Sequence, residues 1–340
     1  MKTGLILGTG RQSEAVVNLL SSTGQYHLLI LTRNINSPGA IKLQALPNVE
    51  LVANVADNGY NITTFLAAAQ RTDFVFVNTD GFALGEQAET YWGIRLFELS
   101  SKAKVKHIIY SGLDYNGKES GFDPKFYVGH YEGKARVQEF MHAQPKSPMA
   151  WSIIRSGPYI ENLTQLMAPT LSTDGTYLFE LPLSAGAIPY IDLDDFARYV
   201  HWALKHVEES NGLDLGVATV HASGADIANA FTATTGKPAK YVDLPVETWN
   251  AKTWTKLPNG PDTKVGFLTV KDNNALFQSY GENFANWWNL YKASAGNKGL
   301  IRRDYELLDR ILPSRVKRVE EWMKKVAYSG ERVSVLNILE

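Results

Sequence analysis

Apolar positions fall in short unbroken runs instead of alternating with polar ones, at residues 4–7, 27–31, 49–52, 74–77, 107–110 and 152–154. Between several of these runs the apolar spacing changes to that of a helix, as in Ala15, Val16, Leu19 and Leu20. An unbroken run is the mark of a strand buried on both faces, and alternation with helices predicts right-handed βαβ units in a parallel sheet. The pattern therefore predicts a doubly wound α/β domain over residues 1–155. In such a sheet, ligands sit outside the carboxyl ends of the strands. That rule draws attention to Arg33, Asn54, Asn78, Thr79, Ser111 and Gly157.

Beyond residue 155 the rhythm loosens, and residues 156–340 are expected to form a smaller α+β cap, with room for the two units to interleave. Here a short apolar run occurs at residues 216–220. The run at residues 188–193 leads into Asp192, Asp194 and Asp195, best explained as the cap of a helix bearing Phe196, Tyr199, Val200 and Ala203. Leu307, Leu308, Ile311 and Leu312 stop before Pro313, and Val316, Val319, Trp322, Met323 and Val326 resume the pattern, giving two amphipathic helices. The aromatic-rich segment 249–299 fits neither period.

The first run breaks into Gly8, Thr9, Gly10, Arg11, Gln12 and Ser13. A strand that turns on small residues into a helix aims free N–H groups and the positive end of the helix dipole at an anion, commonly a dinucleotide pyrophosphate. An ordinary βα turn is the alternative. The second run ends in Arg33 and Asn34, where dinucleotide sites commonly place an acid for the ribose hydroxyls. A guanidinium there suits a 2′-phosphate, so NADP(H) is expected over NAD(H).

The 340 residues carry 34 Lys and Arg against 35 Asp and Glu, with no basic block, which argues against nucleic acid as a ligand. There is no cysteine, which excludes disulfides, thiolate catalysis and cysteine-based zinc sites, and suits a cytoplasmic protein. No apolar stretch approaches the roughly 18 residues of a membrane span and no secretion signal is visible, so no membrane partner is expected and the sequons at Asn61 and Asn162 read as coincidence. No GxSxG elbow and no HExxH pair occurs, and His201 and His206 are spaced off a single helical face, so neither hydrolase nor metal chemistry is expected.

LGTGRQS at residues 7–13, TRN at 32–34, YSGLD at 110–114, HYEGKARVQEF at 130–140 and PYIEN at 158–162 resemble, in order and spacing, the NmrA-like family of atypical short-chain dehydrogenase/reductase relatives. Leu7 and Ser13 depart from that family's usual glycines. The resemblance implies a Rossmann-type domain with Gly8, Thr9, Gly10, Arg11 and Gln12 around the pyrophosphate. It implies Arg33 and Asn34 at the 2′-phosphate and adenosine, Asn54 at adenine, Asn78 and Thr79 beside the ribose, Lys134 at the nicotinamide ribose, and Tyr159 through Asn162 flanking nicotinamide. The family holds both reductase-like enzymes and regulators with little or no catalysis.

Ordinary short-chain dehydrogenases set a tyrosine four residues before the lysine, on one helical face. Here that position is His130, and tyrosine is displaced to Tyr127 or Tyr131. His130, with an ordinary pKa of about 6.5, is a candidate acid; a packing or capping role is the alternative. Tyr131 is a second candidate. Ser111 is placed to polarise a carbonyl, or equally to satisfy a turn. Trp92, Phe122, Phe126, Tyr127, Tyr131 and Tyr159 are expected near an apolar or aromatic substrate. The expected function is reduction of a small carbonyl or unsaturated compound. Alternatives are a non-catalytic NADP(H) sensor that binds a regulatory protein partner, and a redox-neutral isomerase or cyclase.

Overall fold

The computed structural model describes residues 1–270 and 277–335. Its first half alternates strand and helix: β1 (Lys2–Leu7), α1 (Arg11–Ser22), β2 (Tyr26–Thr32), α2 (Pro38–Gln44), β3 (Val49–Ala53), α3 (Ile62–Ala69), β4 (Phe74–Val77) and α4 (Gly81–Lys102). Then follow β5 (His107–Gly112), α5 (Asn116–Glu119), α6 (Gly129–His142), β6 (Ala150–Arg155) and, after a long excursion, α7 (Leu193–Lys205). All six apolar runs are strands of one parallel sheet. A seventh strand, Leu213–Gly216, pairs with β6 at one edge, so the order is Leu213–Gly216, β6, β5, β4, β1, β2, β3.

Register explains why the runs are unbroken. Leu5 lies beside Leu29 and Val75, and Ile6 beside Ile30 and Phe76. The first set, with Leu7, Leu31 and Val77, packs against α3, α4 and α6 through Phe65, Leu96, Leu99, Val137 and Met141. The second packs against α1 and α7 through Val16, Val17, Leu20, Phe196 and Val200. Each such side chain removed from water contributes about 1.5–3 kcal/mol. Leu7 thus points into the core and away from the glycine turn.

The cap is built on Tyr177–Leu181, flanked by Ala239–Asp243 in parallel and Thr170–Leu171 in antiparallel, with Ile188–Tyr190 pairing Val220–Ala222 separately. The run 216–220 leads from the end of strand Leu213–Gly216 to the start of Val220–Ala222. Asp192 caps α7, accepting from Asp194 N at 2.8 Å, and Lys325 bridges Asp192 and Asp194 at 2.7 Å each. Within segment 249–299 the described residues supply the end of helix Val246–Thr253 and all of Tyr280–Lys292, whose Trp249, Trp254, Phe284 and Trp288 form an aromatic core. Loops and the short turns Gly260–Asp262 and Ala295–Asn297 fill the rest, and residues 271–276 lie outside the described residues. The two terminal amphipathic helices are Tyr305–Ile311 and Val319–Lys325.

Candidate functional site

The carboxyl ends of the sheet strands converge on the turn at Gly8 to Gly10. Gly8 sits at φ +77°, a conformation that side chains disfavour. Gly10 is extended, yet no atom lies within 4 Å of where a Cβ would stand, so the turn keeps open space on its outer side. No side chain caps α1, which leaves its first N–H groups directed outward with the dipole behind them. Ser13, in place of the usual glycine, donates its hydroxyl to the Leu7 carbonyl at 2.7 Å and ties the helix to β1. These features fit a phosphate ligand.

The side chains around this turn are partly committed. The Arg11 guanidinium donates to the Val335 carbonyl at 3.2 Å and to that of Ser334. Gln12 donates to Ser156 Oγ at 3.1 Å and accepts the Ser111 hydroxyl at 2.5 Å. The one proton of Ser111 is thus given to Gln12 and not aimed into the cleft. Arg33 is half-exposed at the rim, 3.7 Å from Asp80, while Asn34 accepts from Asn36 N in a local turn.

Asn54, expected at adenine, follows the end of β3. It is buried, donates to the Gly59 carbonyl at 3.0 Å and accepts from Asn61 N at 2.9 Å, so both ends of its amide close the loop before α3. Thr9 lies partly buried beside Gly39. Tyr159 is partly buried against the core that holds α1 and α7, and burial raises its phenol strongly. Asn162 is 5 % exposed, and its Oδ1 has no hydrogen-bond partner among the described residues.

Lys134 enters from α6 and is nearly buried at the ends of β4. Its Nζ lies 2.7 Å from the Thr79 carbonyl, 3.1 Å from Thr79 Oγ1, 3.3 Å from Asn78 Oδ1 and 3.2 Å from Glu89 Oε1. Asn78, Thr79 and Lys134 are brought together as expected from their sequence positions. Glu89 was missed by sequence reasoning. Its signal is Glu89 four residues before Gly93 on α4, the spacing of one helical stripe. That stripe faces α6, where Gly93 abuts Val137 and Gly133 abuts Glu89.

The proposed proton donors are elsewhere. α6 begins at Gly129, which leaves Tyr127 outside the helix with its hydroxyl on Glu86. His130 lies between Phe82 and Phe284, at 4.6 and 5.7 Å between ring centroids, and meets the Asn283 amide at 2.8 to 3.0 Å. Burial lowers its pKa to about 4, with the Lys134 charge adding to the effect, so near pH 7 the ring holds no imidazolium proton to give. Tyr131 is 2.6 Å from the Tyr291 hydroxyl and accepts from Trp287 at 3.3 Å, inside the aromatic core. Nor do the other aromatics converge: Trp92 packs on Tyr60 and Phe122 is exposed. A cavity of about 400 Å³, bordered by Leu166, Leu244, Trp249, Lys252 and Arg332, opens just beyond the helical turn Ile160–Thr164.

No helix among the described residues is long and apolar enough to cross a membrane. The model of the NmrA-like family matches residues 2–272. The chain is 28% identical over 242 residues to the NAD(P)H azoreductase of Xenophilus azovorans, covering 71% of this chain and 76% of that protein. It is 26% identical over 249 residues to the NmrA-like family domain-containing oxidoreductase himF of Aspergillus japonicus, covering 69% and 73%. The crystal structure of NmrA, a negative transcriptional regulator, in complex with NADP superposes with a TM-score of 0.72 at 20% identity, covering 96% of this chain and 95% of that one. The chain belongs to the NmrA-like family.

Proposed function

We propose that this protein is an NADP(H)-dependent reductase of a small apolar or aromatic carbonyl or otherwise unsaturated compound. The observation that carries this reading is the placement of Lys134, buried beside Asn78 and Thr79, on the same sheet edge as the open turn at Gly8 and the guanidinium of Arg33. When bound and reduced, the dinucleotide supplies a hydride. The chain's part is to bind, orient and stabilise. N–H groups of the first turn of α1 face phosphate charge, Arg33 discriminates for the 2′-phosphate, and the unpartnered Asn162 Oδ1 offers an acceptor for an amide N–H. The ammonium of Lys134 steadies negative charge that develops beside it.

The Ser111 and Tyr131 hydroxyls are engaged within the protein, and His130, held by Asn283 at Nδ1, carries no imidazolium proton near pH 7. This favours acceptors whose reduced form is a resonance-stabilised anion, able to take its proton from water, over isolated ketones. An azo compound or a quinone meets that condition. Quenching of tryptophan fluorescence by NADPH and NADH tests the reading. Expected are binding of NADPH at least tenfold tighter than of NADH, loss of that difference in Arg33→Ala, and faster oxidation of NADPH by quinones or azo dyes than by simple ketones. Failure of both dinucleotides to bind overturns it and leaves the redox-neutral isomerase or cyclase. The committed state of His130 and Tyr131 also suits a non-catalytic sensor with a protein partner, and tight NADPH binding with no acceptor reduced would select that second reading.

A further inference from the structure

Lys134 is held by a residue outside every motif. Glu89 is fully buried on α4, and its carboxylate occupies space that two glycines on different elements leave free. A Cβ at Gly81 would stand 2.4 Å from Glu89 Oε2, and one at Gly133 2.9 Å. On the other oxygen, Thr79 donates its hydroxyl to Oε1 at 2.8 Å, and Lys134 Nζ stands 3.2 Å away.

The groups around Lys134 Nζ are all acceptors: a backbone carbonyl, an amide oxygen, a carboxylate, and a hydroxyl whose proton is already given to Glu89. Such a shell is suited to an ammonium, which only donates. An ammonium removed from water needs a counter-charge, and Glu89 is the carboxylate in contact with it among the described residues. Burial raises the Glu89 carboxyl above its ordinary value, and Lys134 and the Thr79 hydroxyl offset part of that rise. The other titratable groups near the pair are Asp80 at the start of α4, Tyr110 on β5, Tyr60 from the loop before α3 and His130 on α6.

We propose that Glu89 is the positioning residue of this site, the buried counter-ion that keeps Lys134 an ammonium and aims it along the ends of β4. This rests on the dinucleotide reading above only for where the charge is used. Replacing the carboxylate by an amide keeps the shape and most hydrogen bonds but removes the charge. Burial then favours the neutral amine in the variant.

The test is Glu89→Gln, read in two ways. The first needs no dinucleotide: with ¹³C-labelled lysine, the Lys134 Cε resonance, assigned by its loss in Lys134→Arg, is followed from pH 6 to 10. In the variant it is expected to titrate at a pH well below that of the wild type. The second is NADPH affinity by tryptophan quenching above pH 7, where a phosphate with a second pKa of about 6 no longer changes charge. Wild-type affinity is expected to stay within about twofold from pH 7 to 9, whereas that of Glu89→Gln falls about tenfold per pH unit once its amine deprotonates. Lys134→Met should bind weakly at every pH.

Identical lysine titrations in wild type and variant overturn the proposal, as do parallel pH profiles of binding. If Glu89→Gln does not fold, the wild-type resonance decides: a titration between pH 6 and 9 refutes the counter-ion role. Absence of NADPH binding alongside the expected lysine shift refutes the dinucleotide reading and leaves the role of Glu89 standing.

Discussion

Two buried charged clusters stand at neighbouring strand ends, each centred on a residue from a family-like segment: Asp114 from YSGLD and Lys134 from HYEGK. Around Asp114 the bonding is closed. Oδ1 accepts from Arg155 at 2.7 Å and Arg303 at 2.9 Å, and Oδ2 accepts from Arg303 at 2.8 Å. Arg303 also reaches the Val217 carbonyl at 3.2 Å, and Arg155 reaches Asp214 at 2.6 Å. The cluster thus binds the end of β5 to β6, the edge strand and the C-terminal segment. Around Lys134 a carboxylate oxygen, Glu89 Oε2, has no hydrogen-bond partner among the described residues, and the amine lies beside Asn78 and Thr79 at the end of β4. A closed cluster fixes the fold. One with an unpartnered buried atom keeps capacity for something else.

Breaking the closed cluster should give the largest effect. Asp114→Asn leaves the buried Arg303 guanidinium facing no charge while Arg155 keeps Asp214, and removal of one partner of a buried pair typically costs about 3–5 kcal/mol. Urea unfolding should report that loss in the midpoint with the slope unchanged, and a loss below about 1 kcal/mol would show the two clusters to be alike. Burial works against the Asp114 carboxylate, yet Arg303 and Arg155 hold its pKa below the ordinary value. The stabilisation from this group is therefore full above the unfolded carboxylate pKa of about 3.9 and lost as pH falls through the lower folded value.

Next in size is a change on the open side. Gly10→Val fills space that no protein atom approaches, at the ordinary φ of −72°. Stability should change by about 1 kcal/mol or less, the scale of an N-cap substitution, whereas NADPH affinity should fall about a hundredfold as the side chain takes the phosphate's place. Calorimetry of both properties on one preparation checks this. Equal losses in stability and binding would mean that the turn is structural.

The contrast also separates what the chain makes readable. Five of the six runs were legible because their strands are buried on both faces, so composition alone marks them; β3, at the other edge of the sheet, is only partly buried. The seventh strand, LDLG, is four residues long at an edge and carries Asp214, which leaves no apolar run to find. Asn78, Thr79 and Lys134 were legible from position relative to strand ends and motif. Glu89 was not, because its partner lies on another helix and the seam between them is written in glycines. Asn54 was assigned by position, but a short loop that returns to it takes both ends of its amide. For His130 the deciding neighbours, Asn283 and Phe284, come from a helix some 150 residues away, where local reading has no reach.

His130→Phe therefore sharpens the division. The ring keeps its stacking and loses the bond to Asn283, so a destabilisation of about 1–3 kcal/mol is expected with NADPH affinity unchanged within about twofold. With a folded pKa near 4 against an unfolded value of about 6.5, the neutral ring contributes stability fully above pH 6.5 that is lost as pH falls toward 4. The variant should lose that part of the slope. A large fall in turnover at unchanged affinity would return His130 to the catalytic side.

The smallest effect has the most telling sign. Asp80 and Arg33 are both half-exposed and 3.7 Å apart, a geometry worth well under about 1 kcal/mol in water. Asp80 also accepts from Ala83 N at 3.2 Å as the cap of α4, a role that asparagine fills equally well. Asp80→Asn should leave the unfolding midpoint unmoved while freeing Arg33 from a competing carboxylate. NADPH affinity is then expected to rise by about two- to fivefold, and NADH affinity to change less, since the difference between the two ligands is the charge that Arg33 would meet. A rise of the same size for both dinucleotides would mean that Asp80 acts through general repulsion at the cleft mouth. Weaker NADPH binding would mean that the carboxylate holds Arg33 in its working position, so that the rim as well as the floor of this cleft depends on a paired acid.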